Sequence, residues 1–208
     1  IDEESGKDAK PYTEKIVIDS IENYSWQSEF KDIKFDYIIF ADVLEHLYYP
    51  EKVLKSVRDF LKEEGSILIS IPNIAHNAIV MGLLQNEFNY SPTGLLDDTH
   101  IRFFTKKTFD NLIEKCGYFK AYETAVFMKP HNTEFGYKYN ELSDNFAEYL
   151  LSLSHGEIYQ LIYEIKCYEV EIFSDFSEEY KINSSNFIQL FIEDENGLAE
   201  ENSIKYPV

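Results

Sequence analysis

The first two thirds of the chain alternate short apolar runs with amphipathic stretches. Three runs are strand-sized: Lys15–Asp19 (KIVID), Phe35–Ala41 (FDYIIFA) and Ser66–Ile71 (SILISI), the last closed by Pro72 and Asn73. Continuous apolar strands separated by helices predict a parallel sheet buried on both faces. Between the second and third runs, Val53, Leu54, Val57, Phe60 and Leu61 recur at helical spacing. Pro50 suits the first turn of that helix and Gly65 its stop. Strand, helix and strand form a right-handed βαβ unit, and in such sheets ligands gather beyond the carboxyl ends of the strands. Here those ends are Asp19 and Ser20, Ala41 and Asp42, and Pro72 and Asn73.

Further along, His76–Phe88 predicts a helix, and Asn89–Thr99, rich in turn formers, a loop or lid. Thr105 caps a helix over Lys106–Cys116, with Phe109, Leu112 and Ile113 on one face and Gly117 as its stop. Tyr118–Met128 predicts a strand. Glu141–Leu153 predicts a helix striped by Phe146, Tyr149, Leu150 and Leu153, and Ile158–Tyr168 a further strand. These elements make one unit over residues 1–172. Residues 173–208 read as a polar, acidic linker (Phe173–Ser185) and the start of a β-rich domain, whose strand pattern is Asn186–Glu193.

Composition narrows the function classes. The 208 residues are 44% hydrophobic, with 16 Tyr and 16 Phe, enough to bury a core. Nineteen basic residues against 38 acidic ones leave a net charge of -19, which repels phosphate backbones and anionic membranes, so no nucleic-acid partner is expected. Two cysteines form neither a disulfide framework nor a zinc site. No apolar run reaches the ~20 residues of a membrane span, and no basic-then-apolar leader opens the chain. The expected compartment is the cytoplasm.

The stretch Phe35–Pro50 (FDYIIFADVLEHLYYP) carries the chemistry. It resembles the fourth strand and following helix of class I S-adenosylmethionine (SAM) dependent methyltransferases, in the group reading D-V-L-E-H-L. The likeness continues through Gly65–Asn73 (GSILISIPN) and Asp98–Phe119 (DTHIRFFTKKTFDNLIEKCGYF). It implies an α/β, Rossmann-like, mostly parallel sheet with an antiparallel last strand, Tyr118–Met128 being the sixth strand and Ile158–Tyr168 the reversed seventh. It implies that Asp19 receives the adenine amino group, that Ser20 and Ile21 line the adenine slot, and that Ala41 and Asp42 lie beside the methionine part of SAM. A carboxylate suits a donor that bears both an ammonium and a sulfonium. The competing reading for Asp19 and Asp42 is structural, as helix N-caps.

One part of the pattern is missing. The family's G-x-G-x-G turn, which admits close backbone approach to SAM, has no counterpart among the eight glycines. The expectation is an incomplete domain that lacks the first strand and its glycine loop, a fragment of a methyltransferase. The tail resembles segments that follow methyltransferase and glycosyltransferase modules in polysaccharide-building proteins. That implies other domains in a larger polypeptide and a small-molecule or glycan hydroxyl as methyl acceptor.

Methyl transfer needs positioning, and a base when the acceptor is a hydroxyl. His46, beyond the fourth strand, and His100, in the lid, are the base candidates, with Glu45 beside them; a structural histidine tying a loop to a helix is the alternative for each. Asp42, Glu45, His46 and His100 also resemble the E-x-x-E-H...H metal set of small-RNA 2′-O-methyltransferases, which implies Mg, Mn or Zn. A third reading is a non-catalytic binding or scaffold remnant of the same fold. Arg102 is expected either to bind an anionic group or to pair with Asp97 or Asp98.

Overall fold

The computed structural model describes residues 3–168; the linker and strand expected at Phe173–Ser185 and Asn186–Glu193 lie outside the described residues. Four strands form one sheet: β1 (Phe35–Ala41), β2 (Leu61–Pro72), β3 (Tyr118–Phe127) and β4 (Ile158–Cys167), in the order β1-β2-β4-β3. β1 and β2 pair in parallel, with Ile38 opposite Ile67 and Ala41 opposite Ser70. β4 lies between β2 and β3 and runs antiparallel to both. Three strands therefore point one way and the last runs against them, the Rossmann-like arrangement expected.

The helices are α1 (Glu3–Ala9), α2 (Trp26–Glu29), α3 (Pro50–Val57), α4 (Asn77–Leu84), α5 (Lys106–Lys115) and α6 (Asp144–Ser152). Val53, Leu54 and Val57 of α3 are buried at the predicted spacing. They join Phe40, Ile67, Ile69, Ile71, Phe109, Ile113 and Tyr163 in the main core. The Tyr118 hydroxyl donates to the Leu54 carbonyl at 2.7 Å, tying β3 to α3 inside that core. α5 begins where Thr105 predicts, with Thr105 and Thr108 capping each other's backbone, and ends before Gly117, whose φ of 80° is the left-handed turn glycine permits.

Four expectations are corrected. Lys15–Asp19 is not a strand: among the described residues no neighbour pairs with it, and an apolar run without a ladder partner stays irregular. Nor is β1 buried on both faces, since Tyr37 and Ile39 are 59% and 64% exposed. Among the described residues β1 is an edge strand, with β2 alone beside it. Gly65 sits inside β2 and does not stop α3, which ends at Val57 and passes through a short 3-10 turn at Arg58–Phe60. Helices α4 and α6 are shorter than their patterns, and of the α6 stripe only Leu150 is buried, Tyr149 being exposed.

Candidate functional site at the strand tips

The carboxyl ends of β1 and β2 meet the start of β4, because Pro72 pairs with Gln160 in the antiparallel ladder. Asn73 fastens the junction: fully buried, it accepts from the Ala75 N–H and donates to the Ile158 carbonyl at 2.8 Å. Beyond these ends opens a hollow of about 200 Å³, lined by Asp42, Glu45, His46, Pro72, Gly94, Asp97, His100, Tyr159 and Gln160.

Asp42 leaves β1 in the left-handed region, φ 51°, a conformation asparagine and aspartate tolerate better than other side chains. Its N–H donates to Ser70, and its carboxylate accepts from the Gln160 amide at 2.6 Å. It is not the helix cap considered above; the N-cap position of the next turn falls on Val43. That turn, Leu44–His46, is a 3-10 helix rather than the start of an α-helix. It is locked to the lid, since the Glu45 carbonyl accepts from the N–H groups of both Ile101 and Arg102.

Glu45 is fully buried, and neither of its carboxylate oxygens has a hydrogen-bond partner. Burial, helped by the charges of Asp42 and Asp97, pushes its pKa up to about 7. His100 Nε2 lies 3.9 Å from Glu45 Oε1, and the rings of His46 and His100 meet edge-on with centroids 4.8 Å apart. His46 Nδ1 lies 3.2 Å from the Thr99 carbonyl and His100 Nδ1 3.4 Å from that of Leu95. A carbonyl only accepts, so each Nδ1 carries a proton, and in the neutral ring the lone pair lies on Nε2. Burial, then the proximity of His46, lowers the His100 pKa, which keeps that ring neutral. Potential ligand atoms of Glu45, His46 and His100 lie within 4.8 Å of one another. Two imidazoles and a carboxylate without a hydrogen-bond partner therefore sit together, an arrangement that attracts a proton or a cation.

The lid is latched by residues the sequence did not single out. Glu134 accepts from the Leu95 N–H at 2.5 Å and from the Tyr159 hydroxyl at 3.1 Å. A Cβ on Gly94, whose φ is 99°, would lie 2.2 Å from Glu134 Oε1, so only glycine fits there. Leu95 and Leu96 pack on Ile79 of α4. Asp97 accepts from the N–H and hydroxyl of Thr99, placing that residue beside His46. Gln160 and Glu134 carry no motif; they are 118 residues from Asp42 and 39 from Leu95, and only the fold brings each pair together. For Gly94, its place in a turn-rich loop was the available signal.

The remaining expected residues lie elsewhere. Asp19 does not line the hollow: its carboxylate accepts from the Ser20 N–H, the Asn23 amide and the Ser25 hydroxyl, which hold its pKa below the usual carboxylate value. Ser20 caps the short turn Ile21–Asn23 through Glu22 N, and the Ile21 carbonyl accepts from the Trp26 indole. Ala41 is exposed at the end of β1. Arg102 pairs with neither Asp97 nor Asp98; its guanidinium donates to the Tyr48 carbonyl at 2.6 Å.

Comparison with known proteins agrees with this architecture. A SAM-dependent methyltransferase from Archaeoglobus fulgidus superposes with a TM-score of 0.53 at 17% identity, over 80% of this chain and 73% of that one. A second, from Clostridium acetobutylicum, gives 0.49 at 13% identity, over 80% and 71%. No curated protein sequence matches. At these identities the first likeness establishes the fold alone. The family model described as a methyltransferase domain, however, matches residues 3–120, more than half of the chain. The chain therefore belongs to the methyltransferase-domain family.

Proposed function

We propose that the hollow at the strand tips carries methyl transfer from SAM to a hydroxyl of a small molecule or glycan. The observation that carries this reading is the convergence of Asp42, Glu45, His46 and His100 on one hollow at the carboxyl ends of parallel strands. The wall fits a cationic donor: it holds three carboxylates and neither lysine nor arginine. Asp42 would face the cationic methionine part, and when bound SAM supplies the electrophilic methyl. His46, its Nδ1 held by Thr99, presents the Nε2 lone pair to the acceptor hydroxyl as general base. Glu45 and His100 hold the neighbouring proton positions.

Asp19 is proposed as an adenine contact only in a more complete site. The glycine-bearing strand that the family resemblance implies has no counterpart among the described residues, and the open edge of β1 is where it would pair. The test is calorimetric titration with SAM, on this chain and on one extended upstream, followed by transfer of radiolabelled methyl to a hydroxyl panel. Micromolar SAM binding by the extended chain, with label transferred, is the expected result. No heat from either chain overturns the reading and leaves the scaffold alternative.

The unpartnered Glu45 carboxylate beside two imidazoles favours a second reading, in which Glu45, His46 and His100, with Asp42 nearby, hold Mg, Mn or Zn. Such an ion supplies Lewis acidity to a bound oxygen. Electron paramagnetic resonance of added manganese decides: signal lost on mixing with the protein, and kept with His100→Ala, supports it. An unchanged signal with the parent chain excludes it for manganese.

A further inference from the structure

The two imidazoles of the hollow are anchored unequally. His100 Nδ1 meets one oxygen, the Leu95 carbonyl at 3.4 Å, and its Nε2 faces the buried Glu45 carboxylate at 3.9 Å. His46 Nδ1 meets two oxygens of a single residue, the carbonyl and the hydroxyl of Thr99, each at 3.2 Å. That hydroxyl is itself committed. It donates to Asp97 Oδ1, which also accepts from the Thr99 N–H at 2.8 Å. These bonds, the hydroxyl's first, hold the Asp97 carboxyl below the usual aspartate value, so it is an anion at neutral pH and only accepts. With its one hydrogen turned to Asp97, the Thr99 hydroxyl can only accept from His46. Both Thr99 oxygens therefore call for the proton on Nδ1.

Resting on the proposed methyl transfer at this hollow, we infer that Thr99 and Asp97 are a positioning pair, which holds His46 in its Nδ1–H tautomer and so makes His46, rather than His100, the base that takes the acceptor's proton on Nε2. An imidazole free in water favours the proton on Nε2, which leaves no lone pair there; the hydrogen bond at the other nitrogen decides between the two forms. The Asp97 charge polarises the Thr99 O–H, and a hydroxyl that donates to an anion accepts more strongly. Two oxygens from one residue also restrain the ring better than one. The acceptor hydroxyl gives its proton to His46 Nε2 as its oxygen bonds the methyl carbon; the carbon–sulfur bond breaks with its electron pair left on sulfur, a neutral thioether. The pair comes from the lid and His46 lies 53 residues earlier, so the base is complete only while the lid is tied to the turn Leu44–His46 through the Glu45 carbonyl. The plainer alternative is that Asp97 and Thr99 only shape the lid, and that role leaves the tautomer unmoved.

The tautomer is read without SAM, by long-range proton–nitrogen NMR of the full chain carrying nitrogen-15 histidine, at pH about 8.5, above the ordinary histidine range. The His46 signals are assigned by their loss in His46→Gln. In the parent chain the proton is expected on Nδ1. Thr99→Val, which keeps the shape and the carbonyl but removes the hydroxyl, is expected to move part of His46 to the Nε2–H form, and Thr99→Ser to restore the parent pattern. Asp97→Asn, which still accepts but carries no charge, is expected to fall between them. A parent chain with the proton on Nε2, or a Thr99→Val chain with the parent tautomer, overturns the inference; the first of these needs no variant to fold. In a chain that transfers methyl, Thr99→Val is expected to lower kcat roughly three- to tenfold with the acceptor KM little changed, because one hydrogen bond at an exposed residue is lost. An unchanged kcat overturns the positioning role. The calorimetric SAM titration keeps the two readings separate: SAM binding with an unmoved tautomer sinks the positioning pair alone, and the expected tautomers without SAM binding sink methyl transfer and leave a tethered imidazole.

Discussion

At the scale of single residues, the site is built on two local exceptions. Asp42 takes a left-handed backbone, and Glu45 is a carboxylate with no partner in a dry environment. Each costs folding free energy of about 1 to 3 kcal/mol, and groups held this way cluster at functional sites. Glu45→Gln separates function from stability. It keeps the shape, removes the buried carboxylate, and gives the amide a donor for a neighbouring imidazole. Methyl transfer is expected to fall by roughly a hundredfold or more, while the melting temperature holds or rises. A variant that melts earlier yet transfers methyl at the parent rate shows Glu45 to be structural. Much of this scale was legible in the chain: the D-V-L-E-H-L run points to Asp42, Glu45 and His46. What the run cannot convey is that Glu45 is buried and the left-handed residue is Asp42, because both follow from the 3-10 turn being pinned under Ile101 and Arg102.

At the scale of elements, the caps carry testable weight. Thr105 and Thr108 satisfy the first backbone donors of α5, so Thr105→Ala is expected to cost about 1 kcal/mol, read by urea unfolding. α4 is capped by His76, whose Nδ1 accepts from the Ala78 N–H while Nε2–H donates to the Met128 carbonyl at 2.7 Å. Burial holds the His76 pKa below its unfolded value of about 6.5. The unfolded chain then binds the extra proton first. The contribution of His76 is complete above pH ~6.5 and is lost as pH falls below it. His76→Asn, which retains a cap, is expected to flatten the fall in melting temperature between pH 7 and 5; an unchanged slope excludes this role. Helices with a sharp cap and a clean stripe were predicted closely, as α5 shows, since their signals are local. Lys15–Asp19 has a strand composition and no strand, because a β-ladder needs a neighbour that composition does not report.

At the scale of the whole molecule, a net charge of -19 opposes compaction while the core holds it together. Raising NaCl from roughly 20 to roughly 300 mM shortens the screening length, and the melting temperature is expected to rise by several degrees. A flat or falling melting temperature shows that the acidic surface does not limit stability. The α/β class and the lid were legible in the sequence through periodicity and turn residues, and the reversed last strand through the family resemblance of its motifs. The tertiary structure decided which side chains share the hollow. Gln160 reaches Asp42 because β4 inserts beside β2 in one register, and Glu134 reaches Gly94 and Leu95 because the lid folds over β4. It also set Asp19 apart from that hollow. The physical reason is range: periodicity and capping act within a few residues, whereas a binding site is made of contacts between segments that only chain closure brings together.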